Sequence, residues 1–261
     1  MKKGKKLYEG KAKIIFATND KNLVIQHFKD DATAFNNQKK AQFEGKGVIN
    51  NRISEYILTN LNRVGIKNHL VKRINMREQL VKHVEIIPIE FIVRNIATGS
   101  LTKRLGIQEG TIFDEPLIEY CLKNDDLGDP LISKEHILTF KWAQKKEIEK
   151  IDKNLHRIND FMVGMFRGIG ITLVDFKVEF GRQKLNGKNE IILADEISPD
   201  TCRLWDVITE KVLDKDRFRN DLGNVLEAYQ DVARRLGILH EQSNVRPLKF
   251  TKPKEVRLKK K

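Results

Sequence analysis

The sequence LVDFKVEFG at residues 173–181 alternates between apolar and charged side chains. Asp175, Lys177 and Glu179 carry the charges, and Val or Phe occupies each position between them. Because successive side chains of a β-strand point to opposite faces, this pattern predicts a strand with one face on the core and a row of charges on the other.

A second apolar run, IILA at residues 191–194, follows a polar segment and ends in Asp195 and Glu196. If the two strands pair as a hairpin, Glu179 and Asp195 approach each other at one of its ends. Two carboxylates on rigid strands, with a lysine nearby, suit a divalent cation that carries phosphate oxygens. The same pattern fits a half-exposed hairpin with a solvated charged face, so the hairpin alone leaves both interpretations open.

The composition is that of a globular enzyme, since 40% of the 261 residues are hydrophobic and 33% are charged. No apolar run approaches the length that spans a bilayer, and the basic N-terminus lacks the apolar segment of a secretory signal. The only two cysteines, Cys121 and Cys202, lie far apart and fit a reducing compartment. We therefore expect a cytoplasmic protein with no disulfide and no membrane contact. The scattered histidines show no ligand spacing, which argues against zinc.

The formal net charge of +13 lies mainly at the two ends of the chain. Four lysines within residues 2–6 contribute +4, residues 246–261 contribute +7, and the body between them carries +2. A nucleic-acid-binding domain should carry its basic stripe on the folded surface. We therefore expect no specific nucleic acid partner, and we interpret the segment from about residue 243 as a solvated basic tail. An RNA-associated protein is the alternative, and it would require a basic stripe within residues 7–242.

The order of predicted elements indicates an α+β fold, with strands at both ends of the chain and helices between them. The strand predictions cover residues 11–16, 23–28, 69–74, 80–87 and 89–93, in addition to the hairpin. The helix predictions cover residues 49–64, 100–106, 141–166 and 221–236, and residues 30–47 are expected to form a polar loop. Pro88 marks a boundary that divides the chain into a smaller lobe, residues 1–84, and a larger lobe, residues 85–261. Ligands commonly bind in the cleft between two such lobes.

The segment Gly10-Lys11-Ala12-Lys13 opens a strand and places two lysines on one face. A glycine lets the backbone approach a phosphate, and the lysines add positive charge. The segment is not a Walker motif, and Gly45-Lys46 also lacks the required upstream glycine. Taken alone, the segment favours a solvated strand face over a phosphate site.

Arg94 ends an otherwise apolar strand, and Ser100 follows it at a predicted helix start. A buried arginine needs a partner, because an unpaired buried charge is costly. Arginine beside a helix N-terminus would suit a phosphate. The alternative is that Arg94 pairs with Glu90 or another acid and that Ser100 only caps its helix.

Two further segments are dense in charge. Residues 195–206 form a Pro-containing loop directly after a strand, where functional groups often lie, although turn chemistry and surface ion pairs also explain it. Residues 214–219 are explained by a solvated helix start. We interpret both cysteines as packing residues, because neither has a base beside it in the sequence.

These segments together resemble the SAICAR synthetase family (phosphoribosylaminoimidazole-succinocarboxamide synthase) of purine biosynthesis. The resemblance runs from about Leu7 to Leu239, and its specific parts are residues 7–13, 88–100, 173–181, 195–206 and 214–219. It implies a ligase that joins the carboxylate of carboxyaminoimidazole ribonucleotide to the amine of L-aspartate, with ATP and Mg²⁺. It also implies a two-lobed α+β fold, similar in plan to ATP-grasp enzymes and protein kinases, with ATP between the lobes.

The resemblance also implies roles for individual residues. In the smaller lobe, Gly10, Lys11, Ala12 and Lys13 would cover the ATP phosphates. A hinge at residues 82–86, including Lys82, Val84 and Ile86, would meet adenine, and Lys123 would contact the nucleotide. Glu179 and Asp195 would hold Mg²⁺. The ribonucleotide pocket would comprise Arg94, Ser100, Asp175, Lys177, Asp200 and Arg203. The residues expected to serve catalysis directly are Lys13, Lys177, Glu179 and Asp195.

The chain departs from the family pattern at two places. The family usually has glycine where Asn37 stands, in a loop that could receive aspartate, and Asn tolerates positive φ better than most residues. The tail after Gln242 extends beyond the usual end. The resemblance further implies a homodimer or larger assembly acting on small molecules. Within the same chemistry, the alternative is a kinase-like phosphotransferase, which would use the same lysines and acids but would not require aspartate.

Overall fold

The computed structural model of this protein describes residues 2–34, 38–185 and 187–239. The Asn37 position and the basic tail lie outside these residues, so the expectations about them stay predictions. No helix in the described part of the chain is both long and apolar enough to cross a membrane. The elements form an α+β arrangement of antiparallel sheets and helices, which confirms that part of the fold prediction.

The strands lie within residues 6–42, 70–132 and 171–206. They are β1 (Lys6–Glu9), β2 (Lys13–Ala17), β3 (Leu23–Phe28), β4 (Asp31–Ala34), β5 (Lys39–Gln42), β6 (Leu70–Arg73), β7 (Glu78–Lys82), β8 (Glu85–Ile86), β9 (Ile89–Ile96), β10 (Ile112–Leu122), β11 (Leu131–Ile132), β12 (Ile171–Leu185), β13 (Lys188–Ala194) and β14 (Cys202–Asp206). The helices are α1 (Lys46–Arg63), α2 (Ser100–Leu105), α3 (Lys134–Thr139), α4 (Lys145–Arg167), α5 (Asp216–Arg219) and α6 (Val225–Arg235).

Two larger sheets organise these strands. The first has the order β1-β2-β3-β7-β6, and the second has the order β11-β10-β9-β12-β13, with β14 and β8 also paired to β12. β12 is therefore the organising strand of the second sheet, since it pairs with four others. Its register with β13 places Glu179 opposite Ala194, so Asp195 follows directly at that end of the hairpin.

The alternation in β12 predicts a buried apolar face and a charged face, and the structure confirms the burial of the apolar face. Val174, Phe176, Val178 and Phe180 are 0–1% exposed and belong to the core. The charged face is not solvated, since Asp175 and Glu179 are 4% and 3% exposed. It lines a cavity instead, because β9 and β14 carry further charged side chains on the same face. The alternative of a solvated hairpin face is therefore wrong.

The helices close the core from the outside. Residues at helical spacing in α4, from Ile148 to Phe166, are buried, and the helix packs on β12. α1 packs against α6, β6, β3 and β7, and its buried Ile53, Ile57 and Leu61 join the same hydrophobic cluster. Through these contacts α1 links the first sheet to the apolar core of the second.

Several element predictions need correction. The polar loop expected over residues 30–47 contains the β4–β5 hairpin and the first turn of α1. The helix expected from residue 221 begins at Val225, because Asp221 and Asn224 adopt positive φ and break the helical path. The helix expected from residue 141 begins at Lys145, where Gln144 and Glu147 form a capping box.

The segment that joins the two sheets crosses β12 at a glycine. β7 ends at Lys82, and β8 pairs with β12 so that Ile86 lies opposite Gly181. A Cβ atom added to Gly181 would lie 2.5 Å from Val84 Cγ2. Only glycine permits this close approach, which holds residues 82–86 at the edge of the cavity.

Candidate active site

One cavity of about 780 Å³ collects side chains from both larger sheets. All the residues to which the resemblance assigns a role line this cavity: Gly10, Lys11, Ala12, Lys13, Lys82, Val84, Ile86, Arg94, Ser100, Lys123, Asp175, Lys177, Glu179, Asp195, Asp200 and Arg203. These residues come from six separate stretches of the chain. Their convergence makes this cavity the candidate active site.

A cluster of lysines and acids forms one part of the cavity. Lys123 Nζ donates to Glu179 Oε2 at 2.5 Å, and Lys177 Nζ donates to Glu179 Oε1 at 3.1 Å. Lys177 Nζ also lies 3.7 Å from Asp195 Oδ2. Lys13 of the first sheet reaches across to form an ion pair with Asp195. Glu179 and Asp195 therefore approach each other as the hairpin predicts, with lysines between and around them.

The lysines keep Glu179 ionised. Burial acts to raise the pKa of this carboxyl, but the charges of Lys177 and Lys123 outweigh it and hold the pKa at about 2. For Lys177, burial opposes the charged form, yet Glu179 and Glu90 raise its pKa above the ordinary value. For Lys13, burial dominates and lowers the pKa. Glu179 therefore carries its negative charge at neutral pH.

Two acids that the sequence did not single out complete this cluster. Glu90 Oε1 accepts a hydrogen bond from Lys177 Nζ at 2.8 Å. Glu196 is 2% exposed, and its Oε1 lies 3.3 Å from Lys13 Nζ. Asp195, which directly precedes Glu196, has a positive φ of 63°, which is uncommon for a residue with a side chain.

A second cluster, of arginines, lies further along β12. Strand pairing puts Asp175 opposite both Arg94 of β9 and Arg203 of β14. Arg94 Nη1 and Arg203 Nη1 each donate to Asp175 Oδ2 at 2.7 Å. Glu119 accepts from Arg94 Nε at 2.7 Å, and Asp216 accepts from Arg203 Nε at 2.7 Å. The alternative that Arg94 pairs with an acid is therefore confirmed, but its partners are Asp175 and Glu119 and not Glu90.

The arginine cluster borders the start of α2. Arg94 Nη2 lies 3.5 Å from Ser100 Oγ, so the two predicted ligands are neighbours. Gly99 precedes Ser100 with φ 64° and ψ −129°, a conformation essentially restricted to glycine. A Cβ atom on Gly99 would lie 2.8 Å from Arg203 Nη2. Glycine is therefore needed here both for the backbone path and for the position of Arg203.

Asp200 is held from behind by two helices. Its Oδ2 accepts from Asn50 Nδ2 at 2.7 Å and pairs with Lys46, which is 1% exposed, and its Oδ1 accepts from Tyr229 OH at 2.8 Å. Burial acts against ionisation, but Lys46 and Lys215 lower the pKa of Asp200 below its ordinary range. The loop after β13 is thereby fixed to α1 and α6.

A sequence profile of the SAICAR synthetase family matches residues 6–236 of this chain. The chain belongs to the SAICAR synthetase family. It is 73% identical over 260 residues to the phosphoribosylaminoimidazole-succinocarboxamide synthase of Pelagibacter ubique, with 100% of both chains covered. The resemblance noted from the sequence is confirmed.

Solved structures of the family agree with this fold. The phosphoribosylaminoimidazole-succinocarboxamide synthase from Ehrlichia chaffeensis superposes with a TM-score of 0.88 at 52% identity, over 90% of this chain and 100% of that chain. A SAICAR synthetase solved in complex with ADP superposes with a TM-score of 0.84 at 43% identity, over 88% of this chain and 96% of that chain. A protein of the same family and fold therefore binds a nucleoside diphosphate.

Several residues of this SAICAR synthetase family member line the cavity without having been predicted. They are Gln26, His69, Glu90, Glu196, Lys215 and Arg219. The last two come from the segment expected to be a solvated helix start. A helix, α5, does begin there, but the segment is not solvated, because Asp214 and Phe218 are buried. Gln26 and His69 lie in strand-forming stretches without local charge patterns, so only strand pairing could have placed them.

The two cysteines are not positioned as nucleophiles. Both are buried and free. Burial, with the nearby Glu90 charge, raises the pKa of the Cys121 thiol to about 11, and burial also raises the pKa of Cys202. They fit the predicted packing role, although Cys202 also borders the cavity.

The donor set suits Mg²⁺ only in part. Glu179 and Asp195 offer hard carboxylate oxygens on one side of the cavity, which is the ligand type that Mg²⁺ prefers. Within residues 2–34, 38–185 and 187–239, no group of three or more His, Cys, Asp or Glu side chains is arranged to hold a metal ion. Two carboxylates fit a Mg²⁺ ion whose remaining ligands are phosphate oxygens and water.

Proposed function

We propose that this member of the SAICAR synthetase family joins the carboxylate of carboxyaminoimidazole ribonucleotide to the amine of L-aspartate, with ATP and Mg²⁺. The products are SAICAR, ADP and phosphate, and the reaction belongs to purine biosynthesis. The observation that carries this proposal is the single cavity that unites a lysine–carboxylate cluster with an arginine cluster. The family membership and the ADP complex of a relative support it.

The first sheet would bind the nucleotide. Gly10, Lys11, Ala12 and Lys13 lie at the turn between β1 and β2, where the backbone and two lysines can meet the phosphates. Residues 82–86, at the cavity edge, would meet adenine through Lys82, Val84 and Ile86. Lys123 would reach the nucleotide from the other side. Glu179 and Asp195 would hold Mg²⁺, which supplies charge neutralisation to the phosphates when bound.

The arginine cluster would bind the ribonucleotide. Arg94, Ser100 and Arg203 together offer donors suited to a phosphate. Asp175, Lys177 and Asp200 would complete this pocket. Lys177 lies between the two clusters, where a carboxylate to be activated and a transferring phosphoryl group would meet.

The chemistry needs activation of a poor acyl donor. Transfer of the γ-phosphoryl group to the substrate carboxylate would give an acyl phosphate, and attack by the aspartate amine would then form the amide and release phosphate. Phosphoryl transfer depends mainly on positioning and charge neutralisation. Lys13 and Lys177 would stabilise the developing negative charge, and no nucleophilic side chain is required.

The wider organisation is also part of the proposal. We place a nucleotide-binding lobe at residues 1–84 and a larger lobe at residues 85–261, with a plan related to ATP-grasp and kinase folds. The first sheet ends at Lys82, which supports this boundary. The buried free cysteines support a cytoplasmic enzyme, and the family supports a homo-oligomer, which light scattering on the purified protein would test.

The decisive experiment measures ADP release by the purified full-length protein with Mg-ATP, carboxyaminoimidazole ribonucleotide and L-aspartate, each omitted in turn. We expect release to require all three, together with formation of SAICAR. ADP release that is indifferent to aspartate would favour a small-molecule phosphotransferase and contradict the proposal.

A further inference from the structure

The proposed metal ligands are already occupied by ammonium groups. Both oxygens of Glu179 accept hydrogen bonds from lysines, Oε1 from Lys177 at 3.1 Å and Oε2 from Lys123 at 2.5 Å. Asp195 Oδ1 accepts from Lys13, and its Oδ2 lies 3.7 Å from Lys177 Nζ. Three positive charges therefore lie where a cation would bind.

The surrounding charge is nearly balanced without any metal. Glu90 and Glu196 contact Lys177 and Lys13, so the cluster contains four carboxylates and three ammonium groups. A divalent cation entering alone would either lie within a few ångströms of these ammonium groups or displace them. Displaced ammonium groups would be left without anionic partners in a partly buried site, which is unfavourable.

A nucleotide polyphosphate removes both obstacles. Its oxygens can accept the lysines that leave Glu179 and Asp195, and they can supply the metal ligands that two carboxylates lack. This second point is independent of the ion pairs, because the described residues hold no cluster of three or more metal-ligating side chains.

We infer that the lysines close the metal site of the free protein, so that the divalent cation binds only together with the nucleotide polyphosphate. Lys123 is the residue that can be separated from the rest. It is the most exposed of the three lysines, at 36%, and Glu179 is its one ion-pair partner among the described residues. The inference rests on the proposed function only in taking Glu179 and Asp195 as the metal ligands.

The test uses Mn²⁺ alone, measured by the loss of the electron paramagnetic resonance signal of free aqueous Mn²⁺ as nucleotide-free, full-length protein is added. We expect wild type to show no site tighter than nonspecific surface binding. Lys123→Met, which removes one ammonium from Glu179, should show a Mn²⁺ site roughly tenfold tighter than the nonspecific surface binding of wild type, because ammonium–cation repulsion at this range is strong.

The matched control is Lys11→Met. Lys11 lines the same cavity and pairs with Asp125 at 2.8 Å, but it contacts neither Glu179 nor Asp195. This variant should leave Mn²⁺ binding at the wild-type level. Adding Glu179→Gln to Lys123→Met should abolish the gain. Circular dichroism confirms that each variant is folded.

Three results would overturn the inference. They are a tight Mn²⁺ site in the nucleotide-free wild type, unchanged Mn²⁺ binding in folded Lys123→Met, and a gain that survives Glu179→Gln. The ligase assay on wild type is a separate readout. A protein that shows the Lys123 effect but makes no SAICAR would refute the proposed function and leave the closed metal site standing.

Discussion

Asp195 shows how a single residue is fixed by its surroundings. It adopts a left-handed backbone conformation, with φ 63°, at the point where β13 ends. A strained conformation of this kind persists only where surrounding contacts determine it, and such residues concentrate at functional sites. Here the contacts are the ion pairs with Lys13 and Lys177, one from each larger sheet. Lys177 also pairs with Glu179, so it links the carboxylates on the two strands of the hairpin.

The charge of Glu179 should be essential to turnover. Because its pKa is about 2, the group is ionised at any working pH, and Glu179→Gln removes a full charge from the cluster. We expect ADP release to fall by about a hundredfold or more, as for removal of a key electrostatic group, while circular dichroism shows an intact fold. Glu190→Gln, on the partner strand of the same hairpin, is the control and should keep its activity. Near wild-type turnover in Glu179→Gln would refute its assignment as a metal ligand.

Gly99→Ala should weaken ribonucleotide binding through Arg203. The added Cβ would lie 2.8 Å from Arg203 Nη2, so the guanidinium must move. We expect the KM for the ribonucleotide to rise roughly tenfold, as for the loss of a charged hydrogen bond. Gly106→Ala is the matched control at the other end of α2, since its φ is also positive, 66°, and no atom lies within 4 Å of the added Cβ. It should lose stability by about 1 kcal/mol without a change in KM. Equal KM values in the two variants would contradict the steric explanation.

At the scale of elements, side-chain hydrogen bonds join the end of β12 near Arg182 to the start of helix α4. Arg182 of β12 donates twice to Glu147, from Nε to Oε1 at 2.7 Å and from Nη2 to Oε2 at 2.9 Å. Glu147 also accepts from the backbone N–H of Gln144 at 2.8 Å and so caps α4. One carboxylate therefore fixes the start of the helix to the strand that carries Asp175, Lys177 and Glu179.

Glu147→Gln should weaken the contact between β12 and α4 and lower stability without affecting the active site. We expect the free energy of unfolding near neutral pH to fall by about 1–2 kcal/mol, with the KM values unchanged. The Arg182 hydrogen bonds lower the pKa of Glu147 from its usual 4.5, despite the opposing effect of burial. Its contribution is therefore present above pH 4.5 and is lost as the pH falls through the lowered pKa. Urea unfolding across this pH range should show that the difference in the free energy of unfolding between Glu147→Gln and wild type becomes smaller as the pH falls. Glu149 is exposed on the same helix, so Glu149→Gln should have the same free energy of unfolding as wild type at every pH.

At the scale of the whole molecule, the cavity and the excess charge are separate features. The cavity is built within residues 7–219, and the family profile ends at residue 236. Residues 246–261 carry +7 of the net charge of +13. Electrostatic attraction to a polyanion and ligase activity should therefore be separable by truncation.

Removal of residues 243–261 should leave catalysis in place. We expect kcat and the three KM values to stay within about twofold of wild type, because the described cavity is lined by residues 7–219 and the family profile ends at residue 236. Any salt-dependent binding to single-stranded RNA, measured by fluorescence anisotropy, should be lost with the tail. RNA binding that survives truncation would instead indicate a basic surface within residues 7–242.

Local patterns in the sequence determined which face of a strand is apolar and where a helix begins and ends. The alternation at residues 173–181 set the two faces of β12, and the start and stop of α2 were readable from Thr98-Gly99-Ser100 and Gly106. These features depend on neighbours within a few residues, where strand and helix periodicity acts directly. The segments that carry most of the predicted site residues were likewise recognisable as family signatures, whereas Lys82, Val84, Ile86 and Lys123 lie outside those segments.

Only the tertiary structure decided which charges meet. Arg94 pairs with Asp175 and Glu119, and Asp200 pairs with Lys46, across 81, 25 and 154 residues of sequence. The choice follows from the pairing of β12 with β9 and β14 and from the packing of α1 and α6 behind the loop after β13. Periodicity fixes the direction of a side chain but not its partner. The partner depends on which distant strands lie side by side, and that is settled by burial of the common apolar core.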